Sequence, residues 1–265
     1  MARPRATFLE GRRLVSLALL AALVWSIWQV QWDQPIIHGG GIGAAADLFR
    51  ALVTPELSPS FLATVLKASW HTVAYAFGGI TLAVGAGFSL GVIASGVLAR
   101  SSTGRWSMIV GTRGLLALMR AIHELVWAWL FVVAIGLSPM AAILALAIPY
   151  SGILGRIYSE ILQDVPEEPL SALRTAGASE WQVLLYGRLP IALPDMLSYT
   201  FYRLECAIRA AAVMSFVGVA GLGFQIQISL DDLRFSEVWT LLFALVGLIL
   251  LIDLWSTWVR RSLVR

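Results

Sequence analysis

Three charged residues, Arg203, Glu205 and Arg209, lie within an apolar run at 197–219 that is long enough to span a membrane. A charge at membrane depth costs ~2.5–3.5 kcal/mol on insertion scales, so each residue needs a partner or a wet cavity. Glu205 and Arg209 are four residues apart and can pair on one helix face. Arg209 can instead bind an oxyanion, because a guanidinium donates two parallel hydrogen bonds. The sequence leaves both interpretations of Arg209 open.

A polar stretch at 164–194 interrupts the apolar second half of the chain. Gly177 is a natural stop for a first short helix. Ser179 and Gln182 form a capping-box pattern for a second helix, Glu180 to Gly187, which Pro190 and Pro194 are predicted to end. A polar helical hairpin between two apolar spans has no obvious role in holding those spans together. The stretch is therefore predicted to dock a partner protein.

The composition is that of an integral membrane protein. Hydrophobic residues make up 58% of the 265 residues, charged residues make up 13%, and the mean hydropathy is +0.80. A single cysteine, Cys206, excludes an intrachain disulfide and a multi-cysteine metal site, and no metal site is predicted. The arginines are scattered along the ends of apolar runs, so the pI of about 9.3 reflects membrane topology and not a nucleic-acid partner.

Six apolar runs are predicted to cross the membrane as helices. They lie at about Leu14–Trp32, Trp70–Leu98, Leu118–Ile135, Met140–Tyr158, Leu197–Val219 and Val238–Trp258. Residues 1–69 are predicted to form the first span and an extracytoplasmic loop, and residues 70–265 a five-helix core. A retained first span is favoured over a cleaved signal peptide, because the run is too long. Gly87 and Gly91 have the spacing that lets membrane helices approach closely.

Charge patterns add two kinds of prediction. Arg120 with Glu124, and Arg156 with Glu160, are each four residues apart and are predicted to form ion pairs. The segments rich in arginine are the N-terminus, the 99–113 loop, the hairpin region and the C-terminal tail. They all fall on one side if six spans cross with both termini in the cytoplasm. The hairpin is then cytoplasmic.

The hairpin resembles the cytoplasmic coupling loop of ABC-importer permeases. The likeness rests on ALRTAGAS at 172–179 and on Leu189, Pro190 and Pro194, although Ser171 stands where that loop usually has a glutamate. Further segments make the chain from Trp70 onward look like the phosphonate-type permeases: 120–127, 136–139, 146–149, 199–209 and 217–223. Those proteins usually have proline where this chain has His123, so a less kinked start of the third span is expected.

The resemblance implies a type I ABC-importer permease in a bacterial inner membrane. It implies three protein partners: a separate ATP-binding cassette subunit that carries ATP and Mg, an extracytoplasmic binding protein, and a second permease copy, most simply as a homodimer. The ATPase would dock on Ala172, Leu173, Arg174, Ala176, Gly177 and Ala178. An external gate is implied at Gly218, Gly221 and Gly223, with a plain loop as the alternative. The substrate pathway would include Arg203, Glu205 and Arg209.

Three hypotheses on function follow. The first is import of phosphonate or a related phosphorus oxyanion, and the second keeps this architecture for another solute, such as methionine or an inorganic anion. The third is a membrane enzyme or sensor, although no nucleophile has a base at useful spacing and no catalytic residue is predicted. The sequence contains no G-x-x-x-x-G-K-[ST] motif, so the chain is not predicted to hydrolyse ATP and needs no cofactor of its own.

Overall fold

The computed structural model describes the backbone of residues 6–30, 39–98 and 102–263, and side chains within 13–30, 41–98 and 106–262. In these ranges the backbone forms helices joined by short turns, which confirms the all-α prediction. The helices are α1 (Ala6–Trp28), α2 (Gly39–Ala51), α3 (Pro59–Ser95), α4 (Ser102–Ala121), α5 (Glu124–Ile135), α6 (Pro139–Asp164), α7 (Glu167–Thr175), α8 (Glu180–Gln182), α9 (Leu189–Met214), α10 (Leu222–Asp231) and α11 (Phe235–Leu263).

The chain divides into two units, Met1–Arg50 and Ala51–Arg265. The first unit contains α1 and nearly all of α2, and Arg13–Trp28 is a short apolar helix. The predicted end of the first span, at Trp32, lies outside the described residues. Several arginines that support the predicted orientation have side chains outside the described part: Arg3, Arg5, Arg12, Arg100, Arg105 and Arg265.

By length and composition, three helices of the described chain can cross a membrane: α3, α6 and α11. Two bent pairs raise that number to as many as five, namely α4 with α5 and the helical stretch Glu180–Val217 with α10. The count of six spans therefore stays a prediction. The second span was predicted to begin at Trp70, but its helix, α3, begins at Pro59. Proline suits the first turn of a helix, because the backbone N–H groups there have no partner within the helix.

Helices α4 and α5 meet at His123 with a bend of 85°. Helix α4 begins at Ser102 and therefore occupies most of the segment predicted to be the 99–113 loop, while only its end, at 118–121, belongs to the third predicted span. The His123 backbone is extended (φ −64°, ψ 145°), and its Nδ1 accepts the Leu125 N–H at 3.3 Å as the N-cap of α5. The expected weak kink is therefore wrong, because a capping histidine adopts the φ that proline would impose. The expected Arg120–Glu124 pair is also wrong, because the bend removes their i,i+4 relation. Glu124 instead lies 3.8 Å from His123 Nε2.

Helices α3 and α6 form the centre of the second unit and share its most extensive interface. A Cβ on Gly87 would lie 3.1 Å from the Gly155 nitrogen, and a Cβ on Gly91 would lie 2.9 Å from the Gly155 carbonyl oxygen. The side chains of Leu154 and Tyr158 are fully buried beside this contact. The glycine spacing thus serves close helix packing.

Replacing Gly91 with alanine is expected to destabilise the protein by about 1–3 kcal/mol, because the added methyl group overlaps backbone atoms of α6. Gly85 is the matched control, since a Cβ there meets nothing within 4 Å and alanine favours a helix by about 1 kcal/mol. Thermal unfolding in detergent should give a lower Tm for Gly91→Ala than for Gly85→Ala. Equal values for the two variants would contradict this packing.

Polar contacts connect α6 to its neighbours. The Tyr158 hydroxyl lies 2.5 Å from Thr200 Oγ1 on α9, and Gln163 Nε2 donates to the carbonyl of Ser95, the last residue of α3, at 2.8 Å. The predicted ion pair within α6 is confirmed, with Arg156 Nε 2.5 Å from Glu160 Oε1. Helix α6 is therefore held to both α3 and α9 at the end of α6 that leads into the hairpin.

Candidate functional site

The first arm of the hairpin, α7, forms as the sequence predicts. Glu167 and Glu168 occupy its first turn, where the helix dipole favours negative charge. The helix ends at Thr175, and Gly177 follows with φ +87°, a conformation that favours glycine. The residues predicted to dock an ATPase divide by exposure. Ala172, Ala176 and Gly177 are exposed, and Leu173, Arg174 and Ala178 are half-buried.

The second arm differs from the prediction. The capping box forms: Ser179 N–H donates to Gln182 Oε1 at 2.7 Å, and Gln182 N–H donates to Ser179 Oγ at 3.4 Å. However, Pro190 and Pro194 do not end this helix, which continues through α9. A π-helical turn, Val183–Arg188, precedes Pro190. Its i→i+5 hydrogen bonds replace the usual i→i+4 pattern just before the proline, which has no backbone N–H to donate, so the helix can continue past it. The hairpin therefore runs directly into the fifth predicted span.

Arg174 holds the two arms of the hairpin together. Its Nη1 lies 2.8 Å from Glu167 Oε2 at the start of α7, and its Nε lies 3.2 Å from Glu180 Oε1 at the start of α8. The hydrogen bond from Arg174 lowers the pKa of Glu167 below its ordinary value, which extends to lower pH the range in which this carboxylate is ionised. The resemblance assigned Arg174 to ATPase docking, and the structure adds this bridging contact.

Arg203 lies near the middle of α9 between two tyrosines. Its Nε and Nη2 donate to the Tyr199 hydroxyl at 2.9 and 2.5 Å. Its guanidinium carbon lies 5.0 Å from the centre of the Tyr199 ring and 5.2 Å from that of Tyr202, within the range of cation–π attraction. No carboxylate among the described residues pairs with Arg203.

Glu205 and Arg209, whose spacing allows a pair, do not pair with each other. Glu205 accepts from Arg260 of α11, with Oε1 and Nη2 3.0 Å apart, and the Glu205 side chain is only 12% exposed. A residue 55 positions away is thus its partner, because α11 packs along α9. Arg209 is exposed, and its Nη2 contacts the Cys206 sulfur at 3.5 Å. The charge of Arg209 therefore has no carboxylate partner among the described residues.

Three helices bring polar groups together around the buried Tyr150 of α6. Glu124 on α5 and Arg203 and Arg209 on α9 lie near enough to the Tyr150 hydroxyl for their charges to influence it. We call these four residues the arginine–tyrosine cluster. It contains two arginines and one glutamate. Sequence reasoning missed Tyr150 and Glu124 here, because only the fold brings them beside α9.

The glycine-rich segment after α9 forms an irregular turn. A 3₁₀ turn at Ser215–Val217 leads to Gly218, which has φ +102°. The Leu222 N–H then donates to Thr72 Oγ1 of α3 at 3.0 Å and so fixes the start of α10. After this turn, α10 occupies Leu222–Asp231 and lies at 43° to the preceding helix.

Replacing Gly223 with alanine is expected to destabilise the turn by about 1–3 kcal/mol, because the new Cβ would overlap the Ala212 carbonyl oxygen. It would also lie 3.1 Å from Phe216 Cδ2. Gly247 of α11 is the control, since a Cβ there meets nothing within 4 Å. A Tm of Gly223→Ala equal to that of Gly247→Ala in detergent would show that the turn is not so tightly packed.

The chain belongs to the family described as "Binding-protein-dependent transport system inner membrane component", whose model matches residues 87–265. The phosphite transport system permease protein PtxC of Stutzerimonas stutzeri is 33% identical over 251 residues, which are 94% of this chain and 89% of that protein. The phosphate-import permease protein PhnE of Mycolicibacterium smegmatis is 27% identical, over 82% of this chain and 40% of that protein.

Solved structures give the same fold. A chain of the MetNI methionine ABC transporter in an inward-facing conformation matches with a TM-score of 0.68 and 21% identity. That match covers 79% of this chain and 100% of the other. The predicted ABC-importer permease fold is thereby confirmed, and the chain is an inner-membrane permease.

Proposed function

We propose that this permease imports phosphonate or a related phosphorus oxyanion, such as phosphite or phosphate, into the cytoplasm. The observation that carries the proposal is the pair of arginines in α9, Arg203 and Arg209, which lack a carboxylate partner among the described residues. A charge at membrane depth faces a partner or a wet cavity. The similarity to a phosphite permease and a phosphate-import permease agrees with an anionic partner.

The pathway residues then divide by role. Arg203 and Arg209 supply guanidinium groups that can bind two oxygens of a phosphorus oxyanion. The tyrosines around Arg203 orient its guanidinium, since hydrogen bonding and ring contacts limit its rotamers. Glu205 was predicted to be in the pathway. Its ion pair with Arg260 supports a different role, in which Glu205 attaches α9 to α11. Because Arg260 neutralises the carboxylate, Glu205 then does not repel the anion.

The proposal includes the partners that the family resemblance implies. A separate ATP-binding cassette subunit, which holds ATP and Mg, docks on the hairpin from the cytoplasm. A binding protein delivers the anion to the other side, near the turn at Gly218, Gly221 and Gly223. A second permease copy completes the pore as a homodimer. Both termini then lie in the cytoplasm, and this chain needs no cofactor and hydrolyses no ATP itself.

Affinity purification in mild detergent tests this assembly. The tagged chain should co-purify with a subunit that has ATPase activity, and mass spectrometry should identify that subunit as an ATP-binding cassette protein. The binding protein should join the complex when phosphite is added. A folded chain that brings no ATPase would overturn the proposal. Retention of the binding protein by methionine but not by phosphite would assign the amino-acid cargo instead.

A further inference from the structure

Arg188 is the only charged residue that is buried among those whose burial the structure describes, and its side chain is 7% exposed. It is the last residue of the π-helical turn that leads into α9. A buried guanidinium needs a hydrogen-bond partner for each donor group, because desolvation without partners is costly. Its partners therefore show which parts of the chain it connects.

Arg188 contacts two other helices. Its Nη1 donates to the carbonyl oxygen of Leu162 at 2.7 Å, in the last turn of α6. That carbonyl is one of the four at a helix end that lack an intrahelical donor, and a cation is favoured there. Its Nη2 donates to Glu167 Oε1 at 2.5 Å, at the start of α7. We call this contact set, Leu162–Arg188–Glu167, the Arg188 bridge.

Apolar packing next to the bridge holds α7 against the same π-helical turn. Leu170 of α7 is fully buried. A Cβ on Gly187 would lie 2.8 Å from Leu170 Cδ2 and 2.8 Å from Leu173 Cδ1, so the absence of a side chain there allows the close approach. Through Arg174, the bridge also extends from Glu167 to Glu180 of α8. Helix α7 is thus attached to the end of α6 and to the helix that continues into α9.

We propose that the Arg188 bridge transmits displacement of α7 to α6 and α9, an inference that rests on the proposed docking of an ATPase at α7. Arg188 is a positioning residue in this account and touches no substrate. A push on α7 moves Glu167, and the bridge carries that movement to the start of the helix that holds Arg203 and Arg209. Without the bridge, α7 is still held to the π-helical turn by the packing of Leu170 at Gly187, and it follows α6 through the short connection at 165–166.

The first experiment measures how much anion is taken up per ATP hydrolysed, using the complete transporter in lipid vesicles with radiolabelled phosphate. Arg188→Met removes the charge but keeps the apolar stem, and Glu167→Gln removes the partner charge at a side chain that is 63% exposed. Both variants should keep ATP hydrolysis and lower uptake per ATP. The fall should be about tenfold in Arg188→Met, which loses the contacts to both Leu162 and Glu167, and smaller in Glu167→Gln, whose amide oxygen can still accept from Arg188. Arg188→Lys should restore only part of the uptake per ATP, because an ammonium group lacks the planar guanidinium that donates to both partners at once.

Arg156→Met is the matched control, because it breaks an arginine–glutamate pair within a single helix. Uptake per ATP should stay unchanged in that variant. An unchanged ratio in Arg188→Met and Glu167→Gln would overturn the bridge as a transmission element. The bridge would also be overturned if Arg156→Met lost as much uptake per ATP as Arg188→Met. The same holds if ATP hydrolysis and uptake fell in proportion in Arg188→Met.

Amide hydrogen exchange on the chain in detergent separates this inference from the proposed function. Exchange in α7 should become faster in Arg188→Met and stay at its wild-type rate in Arg156→Met. If wild-type vesicles show no ATP-driven uptake, the proposed function fails, yet this exchange difference still establishes the attachment of α7. Equal exchange in the two variants would overturn the attachment itself.

Discussion

Replacing Arg209 with alanine is expected to lower uptake of a phosphorus oxyanion about tenfold or more while the transporter still assembles. Arg209 is exposed on α9 and has no carboxylate partner among the described residues, so its removal leaves no buried charge unpaired. The expected loss is that of one charge-assisted interaction with the anion, ~1.5–3 kcal/mol. Initial uptake rates in vesicles, normalised to the amount of assembled complex, measure it.

Two further variants sharpen that experiment. Arg209→Lys keeps the charge but loses the planar fork, so uptake should fall to a value between wild type and Arg209→Ala. Arg261→Ala removes an exposed charge near the end of α11 and should leave uptake unchanged. An uptake rate of Arg209→Ala equal to wild type would assign Arg209 to structure alone. A loss of assembled complex in that variant would do the same.

Replacing Gly177 with valine is expected to lower uptake about tenfold by distorting the hairpin that docks the ATPase. Gly177 has φ +87°, and a Cβ there meets nothing within 4 Å, so the effect comes from the backbone alone. A side chain in this conformation costs about 1–2 kcal/mol, and a β-branched one more. Co-purified ATPase and vesicle uptake should both decrease. Gly177→Asn should behave nearly as wild type, because asparagine tolerates this conformation.

Gly136 provides the matched control for a strained backbone. It has φ +81° in the turn between α5 and α6, and a Cβ there also meets nothing within 4 Å. Its ψ of 179° lies in a region that essentially only glycine adopts, so Gly136→Val introduces backbone strain away from the hairpin and should keep the ATPase bound. Loss of the ATPase in Gly136→Val to the same degree as in Gly177→Val would show that general destabilisation, and not the hairpin, explains the result.

Features set by local signals could be predicted from the sequence. The start and end of α7 follow from Pro166, the adjacent glutamates and Gly177, and the capping box follows from Ser179 and Gln182. Each of these involves neighbours within a few residues, where helix-end chemistry acts. The apolar composition likewise predicted an all-helical membrane protein, because only the length and polarity of each run enter that argument.

Features set by the tertiary fold could not be predicted in this way. Pro190 signals a helix end locally, but the π-helical turn before it lets the helix continue. The spacing of Glu205 and Arg209 favours a pair, yet Arg260 takes Glu205 because α11 packs against α9. Arg188 gave no signal beyond its positive charge, since its partners are 21 and 26 residues away.

The most direct test of the central claim is ATP-driven uptake by the purified complex in lipid vesicles. ATP and Mg, with the binding protein present, should drive accumulation of labelled phosphate or phosphite, and Arg209→Ala should abolish most of it. Unlabelled phosphonate should compete, and methionine should not. Vesicles that accumulate methionine but no phosphorus oxyanion, or that transport the oxyanion equally well with Arg209→Ala, would contradict the account.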